Sequence, residues 1–136
     1  MRPDAPPKRI LFVCIENSCR SQMAEAFARI HGRGLVEPYS AGSRPSGSVN
    51  PKAVESMLEV GYDLKQHGSK SLSQIPEIEY DCVVTMGCGD ACPSVRAKKQ
   101  EDWNIPDPKA MTPDQFRMVR TQIENQVKTL LNALLS

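Results

Sequence analysis

Residues 8–14 read KRILFVC, an apolar run that stops abruptly at the polar stretch IENSCRS. A run this short and this rich in branched side chains fits a strand buried on both faces of a parallel sheet. In the following QMAEAFARIHGRG, Met23, Ala26, Phe27 and Ile30 recur at helical spacing, and Gly32 and Gly34 supply a stop. Buried strand, tight turn and amphipathic helix, in that order, commit the chain to parallel strands joined by helical crossovers.

The rest of the chain repeats the alternation. LVEPYSAG reads as a second, shorter strand, and its internal proline places it near a sheet edge. A helix is expected from Pro51 to Val60, with Asn50 as its cap and Val54, Met57 and Leu58 on one face. A short helical turn fits residues 71–79. YDCVVTM has the β-branched character of a buried strand and runs into the cysteine-bearing GCGDACP. DWNIP reads as a last short strand before the turn Pro106-Asp107-Pro108. The closing helix starts from Thr112 with cap, proline and acid in order, and carries the apolar stripe Phe116, Val119, Ile123, Val127, Leu130 and Leu134. The expected fold is α/β: three α/β/α layers around a four-stranded parallel sheet, with a site at the carboxyl ends of the strands.

A chain of 136 residues suits one domain. That domain is expected over residues 8–136, with the proline-rich residues 1–7 as a disordered tail. Lysine and arginine number 17 against 16 aspartates and glutamates, so no net field exists to hold nucleic acid or an acidic membrane surface. No apolar run approaches the roughly 20 residues that span a bilayer, and the first residues lack the apolar core of a secretory signal. A soluble, cytoplasmic protein is expected. Its five cysteines, an odd number without an export signal, point to reduced and chemically active thiols.

Cys14 and Arg20 stand in the spacing Cys-x5-Arg, which carries little information alone and much in this context. The cysteine closes a strand, while Arg20 and Ser21 open a helix. The residues between, Ile15, Glu16, Asn17, Ser18 and Cys19, can curl so that their backbone N–H groups converge on a tetrahedral anion. Helix-start amides and a guanidinium also favour thiolate over thiol, which makes Cys14 a candidate nucleophile. Arg20 offers a planar fork matched to two oxyanion oxygens. Asn17 tolerates a left-handed backbone, and the Ser21 hydroxyl can donate to the thiolate.

CIENSCRSQMAEAFAR resembles the opening loop and helix of the low-molecular-weight tyrosine phosphatases and of the arsenate reductases that share their fold. SCRSQMAEAFAR, YSAG, VNPKAVE, DCVVTMGC and the later DW and DP pairs resemble the arsenate reductase branch, in order and at comparable spacing. The resemblance implies that Cys14 attacks arsenate, that Cys88 then attacks Cys14 to release arsenite, and that Cys92 attacks Cys88. A Cys88–Cys92 disulfide results, regenerated by thioredoxin or by glutathione and glutaredoxin, since the three residues between Cys88 and Cys92 are fewer than thioredoxin-coupled members often have. Asp107 is implied as the general acid. Arsenate is the implied substrate, with phosphate or sulfate as an analogue.

Glu16 stands where many members of the family have glycine. Some relatives bind potassium beside the loop through residues aligned with Asn17, Glu25, Ser40 and an aspartate; here the last position is Lys70. An ammonium there would repel a cation, so no metal and no bound cofactor is expected. A tyrosine phosphatase remains the rival enzyme, and a thiol metal-binding or redox-sensor module the rival of another class. Zinc on Cys14, Cys19, Cys88 and Cys92 would leave Arg20 and Asp107 without roles. Cys19 and Cys82 read as small packed residues. His31 and His67 read as surface or capping residues, Trp103 as packing, and Arg96, Lys98 and Lys99 as a solvated face. A monomer is expected.

Overall fold

Strand β1, Lys8–Cys14, runs through the middle of a four-stranded, all-parallel sheet. The computed structural model describes residues 6–86 and 95–135. After β1 come helix α1 (Arg20–Gly32), strand β2 (Val36–Gly42), helix α2 (Pro51–Leu58), strand β3 (Cys82–Thr85), strand β4 (Gln100–Asp102) and helix α3 (Pro113–Leu135). Two short 3-10 turns, Leu64–Gln66 and Leu72–Gln74, lie between α2 and β3, and only the second was expected. Residues 1–5 of the expected tail lie outside the described residues, and Pro6 and Pro7 carry no regular structure.

The sheet order is β2-β1-β3-β4. Ile10, Leu11, Phe12 and Val13 are all fully buried, so side chains on both faces of β1 are covered, as its unbroken apolar run requires. β2 is an edge strand, and its Pro38 is paired opposite Ile10 without breaking the register. The chain leaves β1 for β2 on one side and has β3 on the other. The carboxyl end of β1 is therefore the switch point at which open α/β sheets leave a crevice.

The last strand differs from expectation. It covers Gln100–Asp102 instead of DWNIP, because β3 has only four residues and its final pair, Thr85 with Asp102, uses up the available ladder. One further bond, from the Trp103 N–H to the Thr85 carbonyl at 2.8 Å, marks the end of pairing. The charged, partly exposed sequence QED hid this strand, although charge suits an edge.

Helix α1 stops on Arg33, which takes the left-handed cap at φ +44°, followed by Gly34 at φ +83°. Gly32 is needed for another reason: a Cβ there would collide with the Val36 side chain. Helix α2 begins as expected, with the Asn50 side chain accepting the Lys52 N–H, and ends two residues early at Leu58. Helix α3 buries Phe116, Val119, Ile123, Val127 and Leu130, together with Leu131 in place of the half-buried Leu134.

Candidate active site

The turn after β1 is tied down from outside. The carbonyls of Ile15 and Glu16 accept the N–H groups of Arg44 and Ser46 at 2.8 and 3.0 Å. That of Ser18 accepts from Asn50 at 3.0 Å, while that of Cys19 accepts from Met23 at 3.0 Å as the first bond of α1. In a trans peptide the N–H points opposite to its carbonyl. Holding these carbonyls outward therefore turns the amides that follow them into the loop, where they can converge on an anion. Asn17 takes φ +50°, the left-handed backbone that such a curl needs.

Helix α1 starts with Cys19 at its cap position, which makes no side-chain capping bond, and has no acidic residue in its first turn. Its first N–H groups thus lack a protein partner of the usual kind and can serve an oxyanion instead. Gly42, at the end of β2, lies directly beneath the loop. A Cβ on it would sit 2.5 Å from the Ile15 carbonyl oxygen and 2.9 Å from the Asn17 nitrogen.

Cys14 is buried, with its Sγ 2.8 Å from Ser21 Oγ. The direction of that bond follows from its neighbours. Asn17 Oδ1 accepts the Lys70 backbone N–H at 2.7 Å, so Nδ2 must face Ser21, to which it donates at 2.8 Å. The Ser21 O–H is left to point at sulfur, the arrangement that suits a thiolate. Gln22 locks Asn17 further, with Nε2 reaching its carbonyl at 3.1 Å and its Oδ1 at 2.9 Å.

Arg20 is buried and anchored by one arm: Nη1 donates to the Met86 carbonyl at 2.7 Å and to the Ile105 carbonyl at 3.1 Å. The other terminal nitrogen lies 4.0 Å from Asp107 Oδ2. Arg20 thus joins the exit of β3, the Asp107 segment and the loop around one cavity of about 80 Å3, lined by Cys14, Glu16, Arg20, Asp107 and their neighbours in the loop. A wider cleft of about 330 Å3 between α2 and α3 has neither cysteine nor histidine on its described walls.

Cys19 faces the same cavity, but burial, reinforced by the Asp107 carboxylate, pushes its thiol up to about 12. Burial, with Glu101 nearby, likewise holds Cys82 up at about 11. Both remain thiols at neutral pH. Cys88 and Cys92 lie outside the described residues. The chain enters their segment from Met86, whose N–H donates to the Val13 carbonyl at 2.9 Å, one residue before Cys14.

Several residues near the site had no signal of their own in the sequence. The His67 side chain is buried against Gln22 and Tyr62, not exposed, and burial lowers its pKa. Gln22 is an ordinary helix residue by pattern; only its proximity in sequence to Asn17 hints at its bonds. Lys109 pairs with Glu16 of the cavity wall, and nothing in the turn Pro106-Asp107-Pro108 announces it. His31, by contrast, is a partly exposed partner of Glu124 at 2.8 Å.

Strand, turn, helix and an Arg20 bonded to the Met86 and Ile105 carbonyls together form a candidate site centred on Cys14. The family model described as low molecular weight phosphotyrosine protein phosphatase matches residues 9–136, and the chain belongs to that family. A glutaredoxin arsenate reductase of Synechocystis sp. is 38% identical over 127 residues, covering 91% of this chain and 96% of that protein. A solved arsenate reductase in the phosphate binding state superposes with a TM-score of 0.85 at 38% identity, covering 93% of this chain and 98% of the other. The Corynebacterium glutamicum thioredoxin-dependent arsenate reductase superposes with a TM-score of 0.77 at 28% identity, covering 97% of this chain and 64% of the other.

Proposed function

We propose that this chain reduces arsenate to arsenite with Cys14 as nucleophile. The observation that carries the reading is the cavity of about 80 Å3 with Cys14, Arg20 and Asp107 on its wall. Pockets for drug-sized ligands start at roughly 300 Å3. This one is of a size to hold the oxygens of a tetrahedral oxyanion and not a larger group. The similarity to arsenate reductases over almost the whole chain supports the same substrate.

In this mechanism the Cys14 thiolate attacks arsenic, and Asp107 protonates the departing oxygen, which leaves as water. Arg20 and the loop amides hold the remaining oxygens as charge shifts among them. Cys88 then attacks Cys14 Sγ; the sulfur–arsenic bond breaks with its electron pair passing to arsenic, so As(V) becomes As(III) as a Cys14–Cys88 disulfide forms. Cys92 attacks Cys88, expels the Cys14 thiolate and leaves a Cys88–Cys92 disulfide. A dithiol of the thioredoxin type, or glutathione with glutaredoxin, returns two electrons. The related proteins include one of each coupling by name. A relay that must start from free thiols works in a reducing compartment, hence the cytoplasm.

The test measures arsenite formation and aryl-phosphate hydrolysis side by side for the wild type, Cys88→Ser and Cys14→Ser, with each reductant system. Multi-turnover arsenate reduction that both changes abolish is expected. Any phosphatase activity should survive Cys88→Ser but not Cys14→Ser. Arsenate turnover undiminished in Cys88→Ser would overturn the relay, and phosphatase activity without arsenate reduction would make the chain a phosphatase.

A further inference from the structure

Glu16 places a carboxylate on the rim of an anion site, where an unpaired negative charge would oppose every ligand. It is paired: Lys109 Nζ lies 3.2 and 3.1 Å from its two oxygens, and the Ser18 hydroxyl adds a longer contact of 3.4 Å to Oε1. Among the described residues Lys109 is the one cation in ion-pair contact with Glu16.

Lys109 also belongs to the Asp107 segment. Its backbone N–H donates to Asp107 Oδ1 at 3.1 Å, and its carbonyl accepts Lys52 Nζ from α2 at 2.9 Å. One residue therefore fixes the implied acid, anchors that segment to the body of the protein and reaches back to the oxyanion loop.

We propose that the Glu16–Lys109 pair is a specificity clasp, closing the mouth of the Cys14 cavity against phosphate esters while leaving it open to free tetrahedral oxyanions. The inference deepens the arsenate reading and rests on it for the physiological oxyanion. Glu16 and Asp107 are both on the cavity wall, and Lys109 is bonded to both, through its ammonium to Glu16 and through its backbone N–H to Asp107. On this proposal a free oxyanion is taken up without disturbing that bridge. On the same proposal the organic group of an ester passes between the segments that the pair joins and parts the two side chains.

The strength of the pair sets the size of the effect. The side chains of Lys109 and Glu16 are 56% and 40% exposed, and exposed pairs contribute at most about 1 kcal/mol. The clasp is thus a reversible bias of about three- to fivefold, weakened by salt, and not a lock. It also separates size from charge. Loss of the Glu16 charge favours all anions alike and cancels in the ratio, whereas opening the clasp favours an ester over a free oxyanion.

The test is made in a Cys14→Ser background, where no reaction occurs. Binding of inorganic phosphate and of phenyl phosphate is measured by calorimetry at a pH where both are dianions. Four proteins are compared: the parent, Lys109→Ala, Glu16→Gln, and the reversed pair Glu16→Lys with Lys109→Glu. Each single change should raise the affinity for phenyl phosphate relative to inorganic phosphate about three- to fivefold, and the reversed pair should restore the parent ratio. High salt should relax the parent ratio and leave those of the single variants alone. A ratio equal in all four proteins, or one that the reversed pair fails to restore, overturns the clasp. Because the readout is binding by an inert protein, failure of the clasp is distinct from failure of arsenate turnover in the wild type.

Discussion

Oε1 of Gln22 accepts a hydrogen bond from Nδ1 of His67 at 2.9 Å, and this contact fixes the direction of the bonds running from His67 to Cys14. An amide oxygen only accepts, so Nδ1 carries the proton and Nε2 accepts the Tyr62 hydroxyl at 2.7 Å. The Gln22 amide nitrogen then donates to Asn17 Oδ1, Asn17 to Ser21, and Ser21 to sulfur. Each donor points toward Cys14, and aligned bonds of this kind polarise one another.

Ser21 is the last donor in that series. A hydrogen bond to a charged group contributes roughly 1.5–3 kcal/mol, so Ser21→Ala should slow single-turnover consumption of arsenate by about tenfold or more, while Ser21→Thr, which keeps the hydroxyl, should retain most of the rate. Rapid-quench measurement of the first turnover checks this. Equal rates for Ser21→Ala and wild type would remove the hydroxyl from thiolate stabilisation.

His67 makes the fold sensitive to acid. Burial depresses its pKa from the usual 6.5, against the pull of Glu25, whose Oε2 is 3.7 Å away, and with help from Arg29 and Lys70. A histidine that protonates more readily when unfolded adds stability that is fully present above pH 6.5 and is lost as pH falls through its folded pKa. Denaturant titrations at pH 8, 6.5 and 5 should show stability falling on the acid side. His67→Asn should be less stable at pH 8 and should lose that part of the acid slope. A slope unchanged in His67→Asn assigns the acid loss to other groups.

Gly42 is held to glycine by contact, not by backbone conformation. Its missing Cβ would press 2.5 Å from the Ile15 carbonyl oxygen, and overpacking typically costs about 1–3 kcal/mol. Gly42→Ala should therefore lower the melting temperature and weaken phosphate binding together, since relief requires the loop itself to move. Calorimetric phosphate titration beside a thermal melt checks both. A variant that binds phosphate like the wild type would show that the loop tolerates the methyl group.

The central architecture was legible because its signals are local. The run from Lys8 to Cys14 and the spacing from Cys14 to Ser21 reflect burial and turn chemistry within a few residues of each other. Residues acting on the site across long separations had no such signal. His67 lies 45 residues from Gln22 and Lys109 lies 93 from Glu16, so only the packing of the connecting segments brings them together. His67 looked like a surface residue because a lone histidine carries no periodicity. The strand Gln100–Asp102 was missed for the opposite reason: its pattern is polar and its pairing is set by the length of β3. Cys88 and Cys92 could be found in the sequence, but they lie outside the described residues.

Lys70 bears on metal dependence. Its backbone N–H donates to Asn17 Oδ1 at 2.7 Å, and its Nζ donates to the Gly68 carbonyl at 2.8 Å and lies 4.0 Å from Glu25 Oε1. Glu25 is buried, accepts the Ser40 hydroxyl at 2.6 Å and pairs with Arg29 at 3.0 Å. Two side-chain cations thus already face the one carboxylate, leaving no charge deficit for a monovalent ion to fill. Arsenate turnover should be the same in potassium, sodium and choline salts at equal ionic strength. Lys70→Asp would set two carboxylates near Asn17 and Ser40 with Arg29 alone to offset them. That variant should be slow in choline and should recover as potassium is added. A wild-type rate that rises with potassium would mean that the ammonium does not take the place of an ion.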